Sequence, residues 1–175
     1  GGPEVLTLED YDPGKPGPGE IRLRHEAIGL NFVDVYQRTG LYKAPLPLIP
    51  GNEGAGVVTE VGPGVTGFSP GDRVGYTGVS GAYCDERLLP ADKAVKLPFG
   101  MSSELAATVM MKGGTAHFLL FETWPLKTGD TVLVHAAAGG VGRLLCQWAA
   151  HLGATVIGTV GTAAKAEVAR AAGCT

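Results

Sequence analysis

Thr131-Val-Leu-Val-His-Ala-Ala-Ala-Gly-Gly-Val-Gly142 is the stretch of this sequence that decides the fold. An apolar, β-branched run leads into glycines, and an amphipathic segment follows. This order predicts a strand, a tight turn and a helix. In that arrangement the helix N-terminus can bind the pyrophosphate of a dinucleotide. The stretch therefore predicts a site for a nicotinamide or flavin nucleotide.

The turn departs at one position from the usual dinucleotide fingerprint, G-x-G-x-x-G/A. Its first position is Ala137, its second Gly139 and its third Gly142. Glycine at the second position lets the backbone approach a phosphate, and glycine at the third lets the helix pack closely on the strand. Because Ala137 departs from the pattern, a glycine turn without a ligand stays open as an alternative.

The residues after the turn complete a βαβ unit. Apolar residues recur there at helical spacing on one face, and they are Val141, Leu144, Leu145, Trp148, Ala149 and Leu152. Gly153 stands where a left-handed helix cap belongs, and a second strand is predicted over 154–160. This context strengthens the nucleotide prediction.

The end of the second strand carries no carboxylate. NAD sites place an Asp or Glu about 20 residues past the turn, where it accepts from the ribose 2′-hydroxyl. No acidic residue occurs over 154–166, and Thr162 and Lys165 stand there instead. These two residues would attract a 2′-phosphate that a carboxylate would repel. The sequence favours NADPH, with a simple N-cap at Thr162 and a solvated Lys165 as the alternative interpretation.

Charge and cysteine usage exclude several classes of protein. The 175 residues carry a formal net charge of −3, which gives no electrostatic reason to expect nucleic acid or an anionic membrane as a partner. No apolar run reaches the roughly 18 residues of a transmembrane helix. Cys84, Cys146 and Cys174 are far apart in sequence and form no CxxC pair. They predict no disulfide framework, which fits a reducing compartment such as the cytoplasm.

The first half of the chain has the pattern of an irregular β domain. Strands are predicted over 20–30, 54–76 and 81–89, and a short helix over 31–39 with Asn31 as its N-cap. His25 lies on the apolar face of the first strand, where a hydrogen-bonded boundary histidine is favoured over a ligand.

The second half opens a parallel α/β domain. Residues 102–123 are predicted to be helical and to be divided in two by Gly113-Gly114. A single βαβ unit leaves both faces of its sheet exposed, so further strands are expected, and the sequence is expected to be truncated at both ends. We expect 1–110 to form the β domain and 111–175 the incomplete first part of the α/β domain.

Several of these motifs together resemble the medium-chain dehydrogenase/reductase superfamily. They are Gly51-Asn-Glu-Gly-Ala-Gly-Val-Val-Thr-Glu-Val-Gly-Pro-Gly-Val65 and Pro70-Gly-Asp-Arg-Val74. Asn31-Phe-Val-Asp-Val-Tyr36, Gly40-Leu-Tyr42 and His135-Ala-Ala-Ala-Gly-Gly-Val-Gly142 are similar to its quinone oxidoreductase branch, the ζ-crystallin-like enzymes. The resemblance covers essentially the whole chain. It implies an α/β plus β fold: a GroES-like β domain followed by a Rossmann doubly wound parallel sheet, with the active site between them.

Many members of that superfamily are zinc alcohol dehydrogenases. They carry Gly-His-Glu, in which the His binds catalytic zinc, where this sequence has Gly51-Asn52-Glu53. A neutral Asn is a poor zinc ligand, no Cys occurs over 31–34, and the four-cysteine structural lobe is absent. We therefore predict no metal.

Without a Lewis acid, such an enzyme suits acceptors that are already electrophilic. The resemblance implies NADPH-dependent reduction of small-molecule quinones, in some members by one-electron steps, and a homodimer. It places cofactor contacts, beside Gly139 of the fingerprint, at Asn31, Asp34, Tyr36, Thr115, Gly140, Val141, Gly161, Thr162 and Lys165. Tyr36 and Tyr42 are candidates for positioning the acceptor, and no residue is identified as a catalyst.

Several candidates also have a structural alternative. Asn31 can cap its helix, Tyr36 and Tyr42 can pack within a loop, and Thr115 can cap a second helix after Gly114. His135 is expected to be structural. Two other functions stay open: a 2-alkenal or enone reductase of the same branch, and a non-catalytic NADPH-binding structural (crystallin-like) or RNA-binding protein. The negative charge and the lack of a basic run disfavour RNA.

Overall fold

Alternating apolar and charged residues build a five-stranded antiparallel sheet in the first half of the chain. The computed structural model describes all 175 residues and divides into two compact units, Gly1–Met111 and Lys112–Thr175. The first unit holds β1 (Glu20–Ile28), β2 (Glu53–Val61), β3 (Arg73–Thr77), β4 (Glu86–Pro90) and β5 (Val95–Lys96), in the order β4-β1-β2-β3-β5. It also holds α1 (Phe32–Thr39) and the 3-10 turns Pro3–Val5 and Ala91–Lys93.

The half-buried strand and the short helix that the sequence predicts are confirmed. Ile21 and Leu23 of β1 are fully buried in a core that also contains Val58, Val74, Tyr76, Ala82 and Leu89. On the same strand His25 lies with Nδ1 2.8 Å from the carbonyl oxygen of Cys84 and Nε2 2.9 Å from the hydroxyl of Tyr76. His25 is therefore a hydrogen-bonded boundary residue, and burial lowers its pKa.

Residues 81–85, before β4, form no strand, because backbone N–H groups of this segment donate to the loop before β2. The N–H groups of Gly81 and Ala82 donate to the carbonyl oxygen of Gly51 at 2.9 and 3.1 Å. The N–H of Tyr83 donates to the carbonyl oxygen of Pro50 at 2.9 Å. These bonds tie the segment to the loop before β2, so the strand predicted over 81–89 is confined to Glu86–Pro90.

The second unit contains the predicted βαβ arrangement. β6 (Thr131–Val134) pairs in parallel with β7 (Thr155–Gly158), α3 (Gly140–His151) connects them, and α4 (Ala163–Ala171) follows. Gly153 after α3 has a φ of +83°, the left-handed cap that the sequence predicts. The core consists mainly of small and branched side chains, namely Leu120, Val134, Ala137, Cys146, Ala149, Val156, Ala169 and Ala172. No helix in either unit has the length and apolar character needed to cross a bilayer.

The predicted break at Gly113-Gly114 is wrong. α2 (Ser103–His117) continues through both glycines, and a π-helical segment, Phe118–Thr123, follows it. Each glycine costs a helix about 1 kcal/mol relative to alanine, which a 15-residue helix with buried alanines tolerates. Aromatic rings pack around the π-helical segment. The ring centroid of Phe121 lies 4.9 Å from that of His117 and 5.3 Å from that of Trp148.

The continuity of α2 predicts the effect of Gly114→Ala. A Cβ at this exposed position would meet no atom within 4 Å. Since alanine has the higher helix propensity, the free energy of unfolding is expected to rise by about 0.5–1 kcal/mol. Urea denaturation measures the change. A loss of stability would favour the helix break that the sequence suggested.

Candidate functional site

The glycine turn after β6 leads sharply into α3. Ala136 has a φ of +52°, which is uncommon for a residue other than glycine. The N–H of Gly139, the N-cap of α3, donates to the carbonyl oxygen of Ala136 at 2.8 Å. No side chain caps this helix and no acidic residue lies in its first turn, which begins with Gly140 and Val141. Helix geometry leaves the first N–H groups without helical partners, so this end can accept an anion.

Gly142 lets α3 start directly against the turn. A Cβ at Gly142 would lie 2.3 Å from the carbonyl oxygen of Ala136 and 2.9 Å from the Cα of Ala137. Both are backbone atoms, so no side-chain rotation could make room. The close approach expected at the third fingerprint position is present, and it is made between α3 and the turn that follows β6.

The segment after β7 lies next to the turn. Nδ1 of His135 is 3.0 Å from Oγ1 of Thr159, which joins the ends of β6 and β7. Thr162 is the N-cap of α4, and its Oγ1 accepts from the N–H of Lys165 at 3.3 Å. The side chain of Lys165 is exposed, and no acidic residue lies in the first turn of α4. Gly161 borders open space, because a Cβ there would meet no atom within 4 Å.

A buried polar cluster in the first unit centres on Asp34. We name it the Asp34 cluster, and its members are Asn31, Asp34, Gln37, Asn52, Glu53 and Tyr83. Oδ2 of Asp34 accepts from the backbone N–H of Asn31 at 2.9 Å and from the hydroxyl of Tyr83 at 3.0 Å. Oδ1 accepts from Nδ2 of Asn52 at 2.8 Å. Asp34 is 4% exposed, and through these hydrogen bonds its carboxylate links the start of α1 to the residue before β2 and to the loop before β4.

Tyr83 acts in this cluster as a neutral donor. Burial, together with the nearby Asp34 carboxylate, raises the pKa of Tyr83 to about 12. The phenol therefore stays protonated throughout the neutral pH range. No local feature of the sequence points to this role, because Tyr83 and Asp34 are 49 positions apart.

Asn52, at the position of the zinc-binding His in the Gly-His-Glu motif, is used as a hydrogen-bond donor. Its Nδ2 lies 2.8 Å from Oδ1 of Asp34 and 3.1 Å from Oε1 of Gln37. The structure contains no group of three or more His, Cys, Asp or Glu side chains that could hold a metal ion. The metal-free state stays a prediction, and metal analysis of the purified protein tests it.

Glu53 is a second member of the cluster whose role the sequence analysis missed, although it lies within the quoted 51–65 motif. It is fully buried, and its Oε2 accepts from Nδ2 of Asn31 at 2.8 Å while its Oε1 accepts from the N–H of Met111 at 2.7 Å. Gly29 leaves the necessary room, because a Cβ there would lie 2.5 Å from Oε2 of Glu53. The result is a fixed Asn31 amide whose nitrogen faces Glu53.

Three aromatic rings lie on α1 and the turn after it. The Tyr36 ring centroid is 6.1 Å from that of Phe32 and 5.3 Å from that of Tyr42. Phe32 and Tyr42 are 76% and 54% exposed, and the N–H of Tyr42 donates to the carbonyl oxygen of Tyr36 at 3.0 Å. Both candidates for positioning an acceptor thus belong to one accessible aromatic row.

The structure groups the predicted site residues within each unit. Asn31, Asp34 and Tyr36 lie at the start of α1 or within it, and the glycine turn and the Thr162–Lys165 segment follow adjacent strands of the second unit. Thr115 is exposed inside the continuous α2, so the interpretation that it caps a second helix is wrong.

Comparison with known proteins identifies similar chains of about twice this length. Residues 17–98 match the alcohol dehydrogenase GroES-like domain family. The chain is 55% identical over 172 residues to a quinone oxidoreductase of Pseudomonas aeruginosa, covering 97% of this chain and 53% of the relative. It is 50% identical over 182 residues to a 2-haloacrylate reductase of a Burkholderia species, covering 99% and 54%. The chain thus spans about half the length of the curated relatives it matches.

A solved structure shares the fold. The quinone oxidoreductase of Escherichia coli, crystallised in complex with NADPH, has a TM-score of 0.96 and 49% identity, covering 99% of this chain and 54% of that one. The antiparallel unit is therefore a GroES-like domain, and the parallel unit corresponds to the Rossmann part of such a protein.

Proposed function

Because this chain belongs to the quinone oxidoreductase (ζ-crystallin-like) branch of the medium-chain dehydrogenase/reductase superfamily, we propose that its protein reduces quinones with NADPH. The observation that carries the proposal is the glycine turn before α3. The similar proteins named quinone oxidoreductase, one of which was crystallised with NADPH, support the same activity for this chain's protein.

The glycine turn and the start of α3 leave room for a dinucleotide and carry no negative charge that would repel its phosphates. Gly142 keeps the backbone close to the strand end, and the start of α3 carries neither a capping side chain nor an acid. Gly140 and Val141 would present their backbone N–H groups to phosphate oxygens, and Gly139, which has no Cβ, would let the backbone approach them. When bound, the nicotinamide supplies the reducing equivalents, and the protein holds and orients it.

The start of α4 supports NADPH over NADH. Thr162 and Lys165 follow the strand next to the turn, where NAD sites carry an acid. The Lys165 ammonium and the first N–H groups of α4 would attract a 2′-phosphate. Capping by Thr162 is compatible with this role, because a hydroxyl has both donor and acceptor capacity.

Lys165→Ala is expected to weaken NADPH binding about ten- to a hundredfold, since a charge-assisted hydrogen bond contributes about 1.5–3 kcal/mol. NADH, which lacks the 2′-phosphate, should bind nearly unchanged. Isothermal titration calorimetry with each nucleotide measures the difference.

Lys127→Ala is the matched control for this change. It removes the same charge from another exposed position of the second unit. Neither nucleotide should be affected by it. Equal losses of NADPH and NADH affinity in Lys165→Ala would contradict the proposed 2′-phosphate site.

The first unit carries side chains that suit contact with a nicotinamide or with an acceptor. The Asn31 amide, held by Glu53, has both donor and acceptor groups suited to a carboxamide or a ribose. Asp34 is buried and accepts from the Asn31 backbone, so we assign it a positioning role beside Asn31. Tyr36 and Tyr42 offer ring faces on which a planar quinone could stack.

An acceptor panel tests the reaction itself. Full-length protein should oxidise NADPH with 1,4-benzoquinone or 9,10-phenanthrenequinone. The similarity to a 2-haloacrylate reductase makes 2-alkenals and 2-haloacrylate the necessary comparison. Turnover of these compounds that greatly exceeds turnover of quinones would assign an enone reductase instead. Tight NADPH binding without any turnover would support the non-catalytic alternative.

A further inference from the structure

Two cysteines that are 28 positions apart meet in the core of the second unit. Sγ of Cys174 lies 3.3 Å from Sγ of Cys146, and both are free thiols. Cys146 is fully buried within α3, whereas Cys174, after α4, is partly exposed. Gly158 makes room for the pair, because a Cβ there would lie 2.7 Å from Sγ of Cys174.

We propose that Cys146 and Cys174 form an oxidation site that hydroperoxides convert into an intramolecular disulfide. A disulfide bond is about 2.05 Å long, so the sulfurs need to approach by little more than 1 Å. The backbone already holds Cys174 at this place. The N–H of Cys174 donates to the carbonyl oxygen of Ala169 at 3.1 Å. The N–H of the next residue, Thr175, donates to the carbonyl oxygen of Val156 at 2.9 Å.

The different surroundings of the two sulfurs determine which thiol is oxidised first and which one then forms the disulfide. Burial, together with the adjacent Cys174 thiol, raises the pKa of Cys146. Because Cys146 is fully buried, oxidants in solution do not reach its sulfur directly. Cys174 is partly exposed and is therefore the thiol that a peroxide reaches first. Cys146 is then positioned to resolve the oxidised Cys174.

The reaction balances with hydrogen peroxide as the oxidant. The Cys174 sulfur attacks one peroxide oxygen, the O–O bond breaks, and water leaves with the thiol proton, which gives a sulfenic acid. The Cys146 sulfur then attacks the Cys174 sulfur, an S–S bond forms, the S–O bond breaks, and a second water carries away the Cys146 proton. The two thiols lose two electrons and two protons, and the peroxide is reduced to two waters.

The test is peptide mapping of the intact protein after treatment with hydrogen peroxide, alkylation and digestion without reductant. Most chains should yield a peptide that links Cys146 to Cys174, lighter by two hydrogen atoms than the reduced pair, and dithiothreitol should separate it. Cys84, whose sulfur lies 3.3 Å from the carbonyl oxygen of Gly81, is the internal control and should not enter this cross-link. Cys84→Ser should leave the cross-link unchanged.

Single variants test the order of attack. In Cys146→Ala, dimedone should label a sulfenic acid at Cys174, whereas in Cys174→Ala the thiol of Cys146 should remain unmodified. Oxidation of wild-type Cys174 to sulfinic acid without any link to Cys146 would overturn the proposal. So would recovery of both thiols unmodified under conditions that oxidise glutathione. The wild-type map decides this even if a variant fails to fold.

Discussion

Gly142→Ala is expected to lower the free energy of unfolding by about 3 kcal/mol, because the new methyl group would overpack a rigid part of the core. The methyl would lie 2.3 Å from the carbonyl oxygen of Ala136, and only backbone movement could relieve that contact. The melting temperature should fall by roughly 10 °C. NADPH affinity should fall at least about tenfold if α3 is displaced from the turn by this strain.

Gly114→Ala is the matched control, since it makes the same chemical change in open space on α2. Denaturation curves of the two variants, recorded side by side, separate a clash at Gly142 from the general effect of replacing glycine. A Gly142→Ala protein within about 0.5 kcal/mol of wild type would contradict the close approach of helix and turn.

Glu53→Ala is expected to destabilise the protein by about 4 kcal/mol. The change removes the charged acceptor of one hydrogen bond from the Asn31 amide and of one from the Met111 N–H, and a hydrogen bond to a charged group contributes about 1.5–3 kcal/mol. It also leaves a cavity at a fully buried position. Urea denaturation with NADPH absent measures this loss independently of any ligand.

Glu53→Gln distinguishes the hydrogen bonds from the packing. The glutamine side chain keeps the shape and one acceptor oxygen, so the loss should be about 1–2 kcal/mol. Equal destabilisation by Ala and Gln would show that the negative charge matters more than shape or acceptor number. If Glu53→Ala lowered the free energy of unfolding by less than about 1 kcal/mol, Glu53 would not be the residue that fixes the Asn31 amide.

The parts of the fold that the sequence predicts are those with local determinants. The strand, glycine turn and helix around Gly139 follow from a continuous run of residues, and so does the cap at Gly153. The first strand is equally local, because Ile21 and Leu23 alternate with arginines. Gly113-Gly114 shows the limit of local rules, since tertiary packing overrides their low helix propensity.

The parts that escaped prediction depend on distant contacts. Asp34 meets Asn52 and Tyr83, which are 18 and 49 positions away. These groups come together only when α1, the residue before β2 and the loop before β4 have folded, so no spacing rule reveals them. Cys146 and Cys174 likewise look isolated along the chain, although α3 and the segment after α4 place their sulfurs side by side.

The most direct test of the proposed NADPH site is calorimetric titration of the wild-type, full-length protein with NADPH and with NADH. We predict that NADPH binds about ten- to a hundredfold more tightly, because only NADPH offers a 2′-phosphate to Lys165 and the start of α4. Equal affinities, or tighter binding of NADH, would contradict the assignment.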